Sequence, residues 1–472
     1  MSLTKLKSAW PEKSRLSQGA FGIVRILRKA GFEAFIAGGA VRDAVLTRPI
    51  KEIDIATAAT PDIVKKLFRK TIPTGEKHGT VTVYPHFISP YFRKRKQGEK
   101  ERGSGYEVTT FRKEGPYRKH RWPTRVKFLK SAEEDAKRRD FTVNALFYDP
   151  ETREVLDYIN GIADISHRRI RFIGNPEDRI REDALRLLRA VRFATILQFD
   201  LARETQKAIK KNARLIAKIS AERVKQELDK ILISPRASVG FGLLDIVGLL
   251  ALVLPEIKNL QGVSQPKNQH SEGDVYTHSL LALEGLDEHY DLATRYAVLF
   301  HDIGKAKTRE IRDGKITFYN HQNIGADMAG KICKRLRFSK ADTEKIAWLV
   351  KNHMVPNDFA QMRLGTRRKW GLSPHFQDLL LLYKADAQAS LPSSGKPDTN
   401  PVAYREGLKI LKEIKEHPEL KKPLISGNDV MKVLKIKEGP LVGKILRQVE
   451  EKKLAGKIKT KAQALDFLKN LR

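Results

Sequence analysis

Residues 35–68 read FIAGGAVRDAVLTRPIKEIDIATAATPDIVKKLF, and the pattern of this stretch predicts how the first part of the chain folds. An apolar strand enters a double-glycine turn, and the short helix after the turn carries Arg42. The next apolar segment holds Glu52 and Asp54, and side-chain alternation along a strand places both carboxylates on one face. Two such oxygen ligands can share a magnesium ion. The stretch therefore predicts a strand, a turn and a helix beside a pair of acids.

The double glycine suits the binding of a polyphosphate. Glycine has no Cβ, so its backbone comes close to a phosphate group and adopts positive φ without strain. Together with an arginine and two acids, the turn indicates metal-assisted nucleotidyl transfer. A turn that only joins a strand to a helix has the same sequence, so this stretch alone leaves both interpretations open.

The composition favours a polyanionic partner over an acidic small molecule. Among 472 residues, Lys and Arg number 90 against 56 Asp and Glu, which gives a formal net charge of +34. The charges accompany 41% hydrophobic residues, and this predicts a folded basic protein with several domains, unlike a disordered tail. Nucleic acid is the partner that such a balance indicates.

Two features predict a soluble cytoplasmic protein. Cys333 is the only cysteine, so no intrachain disulfide can form and a reducing compartment fits. The N-terminal segment has no apolar signal-peptide core, and no run of about 18 apolar residues occurs, so no membrane contact is expected.

Short strand-like and helical segments before residue 130 predict a small mixed sheet with helices beside it. The strands are expected at 35–37, 53–56, 80–84, 107–110 and 127–129, and the helices at 20–29 and 61–68. Between the third and fourth strands, residues 93–102 carry six basic and two acidic side chains. This segment is either a solvated hairpin loop or a phosphate-contacting finger for RNA.

Two further charged segments border apolar elements. The RRD run at 138–140 can grip a phosphate and a sugar hydroxyl together, with the arginine as donor and the aspartate as acceptor, but taken alone such a run is more often a surface ion pair. In REDALRLLRAVRF, one helix is expected to carry Asp183, Arg186 and Arg189 on one face. An Asp and an Arg one turn apart can read a base edge. They can equally form a salt bridge within the helix, which contributes only about 0.3–0.5 kcal/mol.

Six motifs in one order carry a resemblance to a known family. They are GGAVRD, EIDIAT, TIPTGEKHGTVTV, YEVTTFR, EEDAKRRDFTVNAL and REDALRLLRAVRF. With them, roughly residues 30–235 resemble the bacterial tRNA nucleotidyltransferase and poly(A) polymerase family. The resemblance implies a polymerase-β-like head with a helical neck, which adds nucleotides to an RNA 3′ end without a nucleic-acid template.

The resemblance also implies roles for single residues. Gly39 and Arg42 would hold the triphosphate, and Glu52 and Asp54 would hold the Mg²⁺ ions. Arg139 and Asp140 would bind the sugar-phosphate region, and Asp183 and Arg186 would pair with the incoming base. Arg189 and Arg192 would support the site. Asp183 can accept from the exocyclic amine of C or A, and Arg186 can donate to the adjacent ring nitrogen. U and G present the opposite pattern and would leave polar groups unpaired.

One position departs from the family pattern. Glu52 stands where the family usually has aspartate, and the extra methylene moves the carboxylate by roughly 1 Å in a site whose metal demands near-ideal geometry. Either the strand compensates or another acid helps, and Glu107 in YEVTTFR is the candidate.

A second set of candidate metal ligands follows in the chain: His278, His301, Asp302, His321, His353 and Asp386. A single histidine is more often structural, but imidazoles and carboxylates from several helices can bind one or two divalent metals. The order resembles the HD phosphohydrolase superfamily over about residues 270–390, with His301 and Asp302 adjacent on a buried helix. This resemblance implies phosphoester hydrolysis with a divalent transition metal, or a tRNA-holding scaffold that kept its ligands.

The predicted fold class is α+β, with a small polymerase-β-like head of mixed sheet and helices followed by all-α domains. The predicted domains are a nucleotidyltransferase head at 1–148, a helical neck at 149–260, an HD metal-binding domain at 261–390 and a helical tRNA-binding tail at 391–472. A Pro/Ser/Gly-rich linker at 390–401 precedes the tail, where Asn428 or Asp429 is expected to cap a helix. A tail that only packs, without RNA contact, is the alternative.

Taken together, the resemblance implies addition of CCA to the 3′ end of tRNA from CTP and ATP. TIPTGEKHGTVTV looks like the CCA-adding version of that segment, and the loop at 112–125, associated in the family with the switch from C to A addition, is present in full. Other interpretations stay open, namely a poly(A) polymerase or an A-adding enzyme. From a different class, an HD phosphohydrolase or RNA-binding protein with an inactive transferase head also fits.

Overall fold

The structure is a computed structural model that describes residues 2–5, 10–84, 105–115, 117–118, 122–123, 126–393 and 395–471. The basic segment at 93–102 lies outside the described residues, and so does part of the 112–125 loop. The chain divides into two compact units, one of Met1–Leu228 and Leu243–Val253, the other of Asp229–Gly242 and Leu254–Arg472. The finer division into head, neck, HD domain and tail stays a prediction.

An eight-stranded mixed sheet organises the first unit. The strands up to residue 157 are β1 Ser2–Lys5, β2 Ala34–Ala37, β3 Asp54–Thr57, β4 Thr71–Gly75, β5 Thr80–Val83, β6 Tyr106–Thr110, β7 Arg112–Glu114, β8 Tyr117–Arg118, β9 Trp122–Pro123, β10 Val126–Phe128, β11 Phe147–Asp149 and β12 Glu154–Asp157. The order in the sheet is β1-β12-β11-β2-β3-β6-β5-β4, and β7 pairs with β10 and β8 with β9 outside it. Only the β3–β6 pair of this sheet runs parallel, so the sheet is mixed, as predicted.

Helices accompany this sheet and continue after it. In chain order they are α1 Arg15–Lys29, α2 Gly39–Val45, α3 Pro61–Leu67, α4 Ala132–Arg138, α5 Gly161–Ser166, α6 Pro176–Glu182, α7 Arg186–Leu197, α8 Arg203–Asn212, α9 Ala221–Ile233, α10 Ala237–Ile246 and α11 Leu250–Val253. A short parallel pair, β13 Arg169–Ile170 with β14 Asp200–Leu201, lies among them. The Ser14 hydroxyl accepts from the N–H of Ser17 at 3.1 Å and caps α1, which buries Ile23, Val24 and Leu27.

The single helix expected through REDALRLLRAVRF is two helices. α6 ends at Glu182, and Asp183 has an extended backbone with φ −137° and ψ 105°. The Asp183 carboxylate accepts from the N–H of Leu185 at 3.1 Å, directly before α7 begins. A short acidic side chain competes in this way with the helical backbone hydrogen bonds. Asp183 therefore lies in the break between α6 and α7, and Arg186 opens the second helix.

The second unit is mainly helical. Its remaining helices are α12 Pro255–Lys258, α13 Val275–Leu281, α14 Leu292–Phe300, α15 Lys305–Thr308, α16 His321–Arg335, α17 Lys340–Asn352, α18 Leu364–Gly371, α19 Phe376–Ala389, α20 Val402–Glu416, α21 Gly427–Leu434, α22 Pro440–Leu454 and α23 Lys461–Lys469. A two-stranded hairpin, β15 Glu310–Arg312 and β16 Lys315–Thr317, stands between α15 and α16. The predicted α+β class is confirmed, with this hairpin added to the helical part.

The start of α21 differs from the predicted cap. Ser426 is the N-cap, its hydroxyl accepts from the N–H of Asp429 at 3.3 Å, and the Asp429 carboxylate accepts from the N–H of Ser426 at 2.8 Å. Asp429 therefore completes a capping box three residues after the cap, and neither Asn428 nor Asp429 is the cap itself. Among the described residues, no helix is both long enough and apolar enough to cross a membrane.

Candidate functional site

The double-glycine turn lies between β2 and α2. Gly38 has φ 75°, which favours glycine, and its N–H donates to the carbonyl of Leu146 at 3.0 Å. A Cβ at Gly38 would lie 3.1 Å from Nη1 of Arg139, so a larger residue would press on that guanidinium. Gly39 opens α2, and Arg42 on the same helix is buried. The turn therefore places Gly38 next to Arg139 and Gly39 next to Arg42.

Asn144 connects three of the predicted nucleotide-binding residues. Its side-chain carbonyl accepts from Nη1 of Arg42 at 2.6 Å, and its backbone carbonyl accepts from Nη1 of Arg139 at 3.2 Å. Its amide nitrogen donates to Asp140 at 3.4 Å. Asn144 is not among the residues that the sequence predicted for the site, although it is the one amide inside the apolar run after RRD. The structure thus brings Arg42, Arg139 and Asp140 together around a residue that the motif contained.

Three acids lie at the start of β3 and on its parallel neighbour. Asp54 opens β3, and the β3–β6 register places Glu107 beside it, whereas Glu52 lies just before the strand. Asp54 is the one exposed residue of β3. Partial burial, then Glu107, then Glu52 raise the pKa of Asp54 to about 6, and Arg139 opposes them. A divalent cation would relieve this crowding of negative charge, so the acids present fit such a ligand.

Asp140 connects the sheet region to α7. Its carboxylate accepts from Nε of Arg189 at 2.8 Å and from Nη2 of the same guanidinium. Burial disfavours the charge on Asp140, but Arg189, with Arg186 and the N–H of Phe141, lowers the pKa of Asp140 to about 2. Asp140 is therefore ionised at neutral pH. Arg189, which was predicted to support the site, is its direct partner.

The predicted base-reading residues each have a protein partner. The Asp183 carboxylate accepts from the guanidinium of Arg223 at 2.9 and 3.4 Å, and Arg223 comes from α9, forty residues along the chain. Arg186 pairs with Glu182 and donates to the carbonyl of Arg179 at 2.8 Å. A carboxylate has about four acceptor positions, so Asp183 keeps capacity for a ligand while Arg223 holds it in place.

Arg192 supports this region from inside. Its Nη1 is 3.2 Å from a carboxylate oxygen of Glu227, and both side chains are buried. Burial lowers the pKa of Arg192, and Glu227 counteracts this. Arg192 therefore ties α7 to α9, the same two segments that hold Arg189 and Arg223. The roles predicted for all these residues stay predictions.

The second unit gathers all six predicted metal ligands. His278 lies on α13, His301 and Asp302 follow α14, His321 opens α16, His353 follows α17 and Asp386 lies on α19. They form two groups, His278 with His301 and Asp386, and Asp302 with His321 and His353. Within each group, the ligand atoms lie within 4.8 Å of one another.

The His301–Asp302 pair lies in a turn after α14 and not on a helix as predicted, since α14 ends at Phe300. Gly304 ends this turn and permits the close approach of α16, because a Cβ there would overlap the carbonyl oxygen of His321. The turn lets Asp302 face both groups. One of its oxygens is 3.3 Å from Nε2 of His301, and the other is 3.6 Å and 3.7 Å from Nε2 of His321 and His353.

The outer ring nitrogens of the four histidines share one arrangement: each Nδ1 contacts a protein oxygen. The contacts are His278 to Glu272 at 2.9 Å, His301 to the Val298 carbonyl at 2.8 Å, His321 to the Phe318 carbonyl at 2.8 Å and His353 to the Val350 carbonyl at 2.7 Å. An acceptor at Nδ1 fixes the proton there and leaves Nε2 free to bind a metal. All four Nε2 atoms face the centre, so the donor set fits one or two divalent transition metals.

The charge states of these histidines differ. Burial lowers the pKa of His353 to about 4, so it is neutral at pH 7. Burial acts the same way on His278, but Asp386 and Glu272 outweigh it and raise the pKa of His278 to about 9. A metal at the first group would therefore displace a proton from His278.

Glu272 is not among the predicted ligands, although it precedes His278 by six residues in HSEGDVYTH. One of its oxygens accepts from Nδ1 of His278 at 2.9 Å and from Nδ1 of His270 at 2.7 Å. The other oxygen accepts from the N–H of Leu391 at 2.9 Å. Glu272 therefore orients His278 and ties it to the segment after α19.

The substitution Glu272→Ala is expected to weaken Mn²⁺ binding at the group of His278 by about 10- to 100-fold, because His278 loses the acceptor that fixes its tautomer and orientation. The group of Asp302 should keep its affinity. Calorimetric titration of Mn²⁺ measures both, and Glu288→Ala, at an exposed acid, serves as control. Equal affinities in the two variants would contradict an orienting role for Glu272.

Comparison with known proteins gives three family matches along the chain. The Poly A polymerase head domain matches residues 34–171, the probable RNA and SrmB-binding site of polymerase A matches 198–261, and the HD domain matches 275–388. The first match contains the glycine turn, the acids and the RRD run. The third contains all six ligands of the histidine cluster.

Individual relatives and solved structures agree with these matches. The CCA-adding enzyme of Geobacillus thermodenitrificans is 40% identical over 331 residues, which are 70% of this chain and 72% of the relative. Other relatives, such as the CCA-adding enzyme of Ligilactobacillus salivarius, align over about half of their length. The crystal structure of the Bacillus stearothermophilus CCA-adding enzyme in complex with CTP is similar over 97% of this chain and 98% of its own, at 28% identity and a TM-score of 0.71.

Proposed function

The chain belongs to the family of CCA-adding enzymes, which are tRNA nucleotidyltransferases, and we propose on this premise that it adds C, C and A to the 3′ end of tRNA from CTP and ATP. The observation that carries the proposal is the joint position of three acids and the Asn144-centred arginines beside the glycine turn. Negative ligands for metal and positive ligands for phosphate lie together there, as transfer of a nucleotidyl group from a triphosphate requires.

In the reaction, the 3′-hydroxyl oxygen of the tRNA attacks the α-phosphorus of the nucleotide, the bond from that phosphorus to the bridging oxygen breaks, and pyrophosphate leaves. Arg42 and the backbone of Gly39 hold the triphosphate, and Arg139 with Asp140 holds the sugar-phosphate region. Glu52 and Asp54, helped by Glu107, would hold Mg²⁺, which supplies charge neutralisation at the transferred group when bound. The Arg189 contact keeps Asp140 ionised for this task.

Selection of C and A is assigned to Asp183 and Arg186. Asp183 accepts from the exocyclic amine of C or A, and Arg186 donates to the adjacent ring nitrogen. U and G would place an acceptor against the acceptor of Asp183 and a donor against the donor of Arg186. The pairs with Arg223 and Glu182 fix both side chains before the base arrives. Because the two bases are read by side chains, no nucleic-acid template is needed.

The test is incubation of the protein with tRNAs that end at the discriminator base, at C or at CC, supplied with CTP, ATP or both. We expect C addition to the first two with CTP alone, A addition only to the CC end with ATP alone, and complete CCA with both. UTP and GTP serve as negative controls. Long A tails would instead indicate a poly(A) polymerase, and no incorporation would contradict every transferase interpretation.

A second activity, metal-dependent phosphoester hydrolysis, is proposed for the histidine cluster. It is supported by the two groups of ligands, between which Asp302 lies, and by the fixed Nδ1 partners, an arrangement that a merely structural set of histidines does not require. A divalent transition metal held there would activate water toward a phosphoester when bound. A scaffold without hydrolysis is the alternative, and a phosphatase assay with added Mn²⁺ separates the two.

A further inference from the structure

One buried side chain beside the histidine cluster has a polar group that no other described residue contacts by a hydrogen bond. Gln265, in the segment between α12 and α13, is 3% exposed, and Lys305 at the start of α15 is 9% exposed. The ammonium of Lys305 donates to Asp302 at 2.7 Å and to the side-chain carbonyl of Gln265 at 2.8 Å. The amide nitrogen of Gln265 has no hydrogen-bond partner among the described residues.

The orientation of this amide is determined by chemistry. An ammonium group only donates, so the carbonyl oxygen of Gln265 must face Lys305 and the amide nitrogen must point elsewhere. A flipped amide would place two donors against each other. Leaving a buried N–H group without an acceptor is unfavourable, so this orientation indicates an acceptor that the described part of the chain does not supply.

We propose that Gln265 and Lys305 form a subsite for a phosphoryl oxygen of the substrate that is hydrolysed at the histidine cluster. The inference rests on the proposed hydrolase function and adds a substrate-binding residue to it. Lys305 contacts the same oxygen of Asp302 that lies 3.3 Å from Nε2 of His301, so the subsite is next to the expected metal positions. The free N–H donors belong to the same amide group whose oxygen contacts the Lys305 ammonium, so donor and cation are neighbours, and an anionic oxygen is an acceptor that suits both.

The test is calorimetric titration of inorganic phosphate into the full chain loaded with Mn²⁺. In Gln265→Ala, we expect phosphate to bind roughly 10- to 100-fold more weakly, as loss of one hydrogen bond to a charged acceptor predicts. Gln265→Glu keeps an acceptor for Lys305 but removes the donor, and it should lose phosphate affinity as well. Mn²⁺ affinity should not change in either variant, and Gln269→Ala, at an exposed residue of the same segment, is the matched control.

The outcomes separate this inference from the hydrolase proposal. If Gln265 only holds Lys305 in place, Gln265→Ala will not weaken phosphate binding further in a Lys305→Ala background, and the inference is wrong. Wild-type protein that binds no phosphate, or variants that bind it equally well, would also overturn it. If phosphate binding falls in both variants while the wild type does not hydrolyse p-nitrophenyl phosphate, the subsite stands and the hydrolase proposal fails.

Discussion

The substitution Asp54→Asn is expected to lower the rate of CTP and ATP incorporation into tRNA by about a thousand-fold. Loss of a metal-binding carboxylate removes several kcal/mol of charge stabilisation, and each 1.4 kcal/mol corresponds to about tenfold in rate. Of the three acids, Asp54 is the one whose pKa the negative charges of the other two raise. Single-turnover incorporation of labelled CTP into a tRNA that lacks CCA measures the effect.

The control for this experiment is Asp62→Asn. Asp62 is an exposed acid at the start of α3 that pairs with Lys65 at 3.0 Å, so its loss removes one negative charge from the same region without touching the site. Incorporation by this variant should stay close to that of the wild type. Transfer that persists in Asp54→Asn would show that the metal assignment is wrong.

Thermal unfolding in a chelator shows whether the Asp54→Asn variant is folded. The pKa of Asp54 is about 6 in the folded protein against an ordinary value of 3.8, so the unfolded chain loses its proton first as the pH rises. The wild type therefore loses stability from this group between about pH 4 and 6. Above pH 6 without metal, the asparagine variant should melt at a higher temperature than the wild type, and below pH 4 the two should be alike.

The motifs predicted the elements of the catalytic region better than the contacts between them. β2, β3, α3, β5, β6 and β10 lie within one or two residues of their predicted bounds, because apolar alternation and the glycine turn are local signals. β4, with exposed residues and Pro73, has no such signal. Arg223, which holds Asp183 from forty residues away, could not be inferred, because its partner is chosen by tertiary packing.

The histidine cluster shows the same limit. The order of the six ligands predicted that they would meet, but their division into two groups depends on the turn after α14 and on the close approach of α16 to Gly304. Roles for Glu272 and Gln265 were not predicted, because an acid or an amide in a polar segment is usually solvated. Only their burial and their contacts with His278 and Lys305 distinguish them.

The substitution Asp302→Asn is expected to abolish metal-dependent phosphoester hydrolysis and to lower the metal affinity at both positions by at least about 100-fold. Loss of a residue that only hydrogen-bonds to a ligand costs up to about 100-fold, and loss of a ligand should cost at least as much. Its carboxylate faces both groups of ligands, so a single change affects both. Asp386→Asn offers a contrast, because Asp386 belongs only to the group of His278 and His301. Calorimetry with Mn²⁺ should therefore show two weakened sites in the first variant and one in the second.

Two controls decide how the Asp302→Asn result is interpreted. Asp302 is 2% exposed and pairs with Lys305, so its loss leaves a buried cation with one partner fewer and can lower stability. CTP incorporation by the first unit should nevertheless persist in this variant, and Asp327→Asn, at an exposed acid on α16, should keep hydrolysis as well. Unchanged hydrolysis in Asp302→Asn would refute the metal assignment. A loss confined to one metal position would show that Asp302 serves one group and that the two groups act separately.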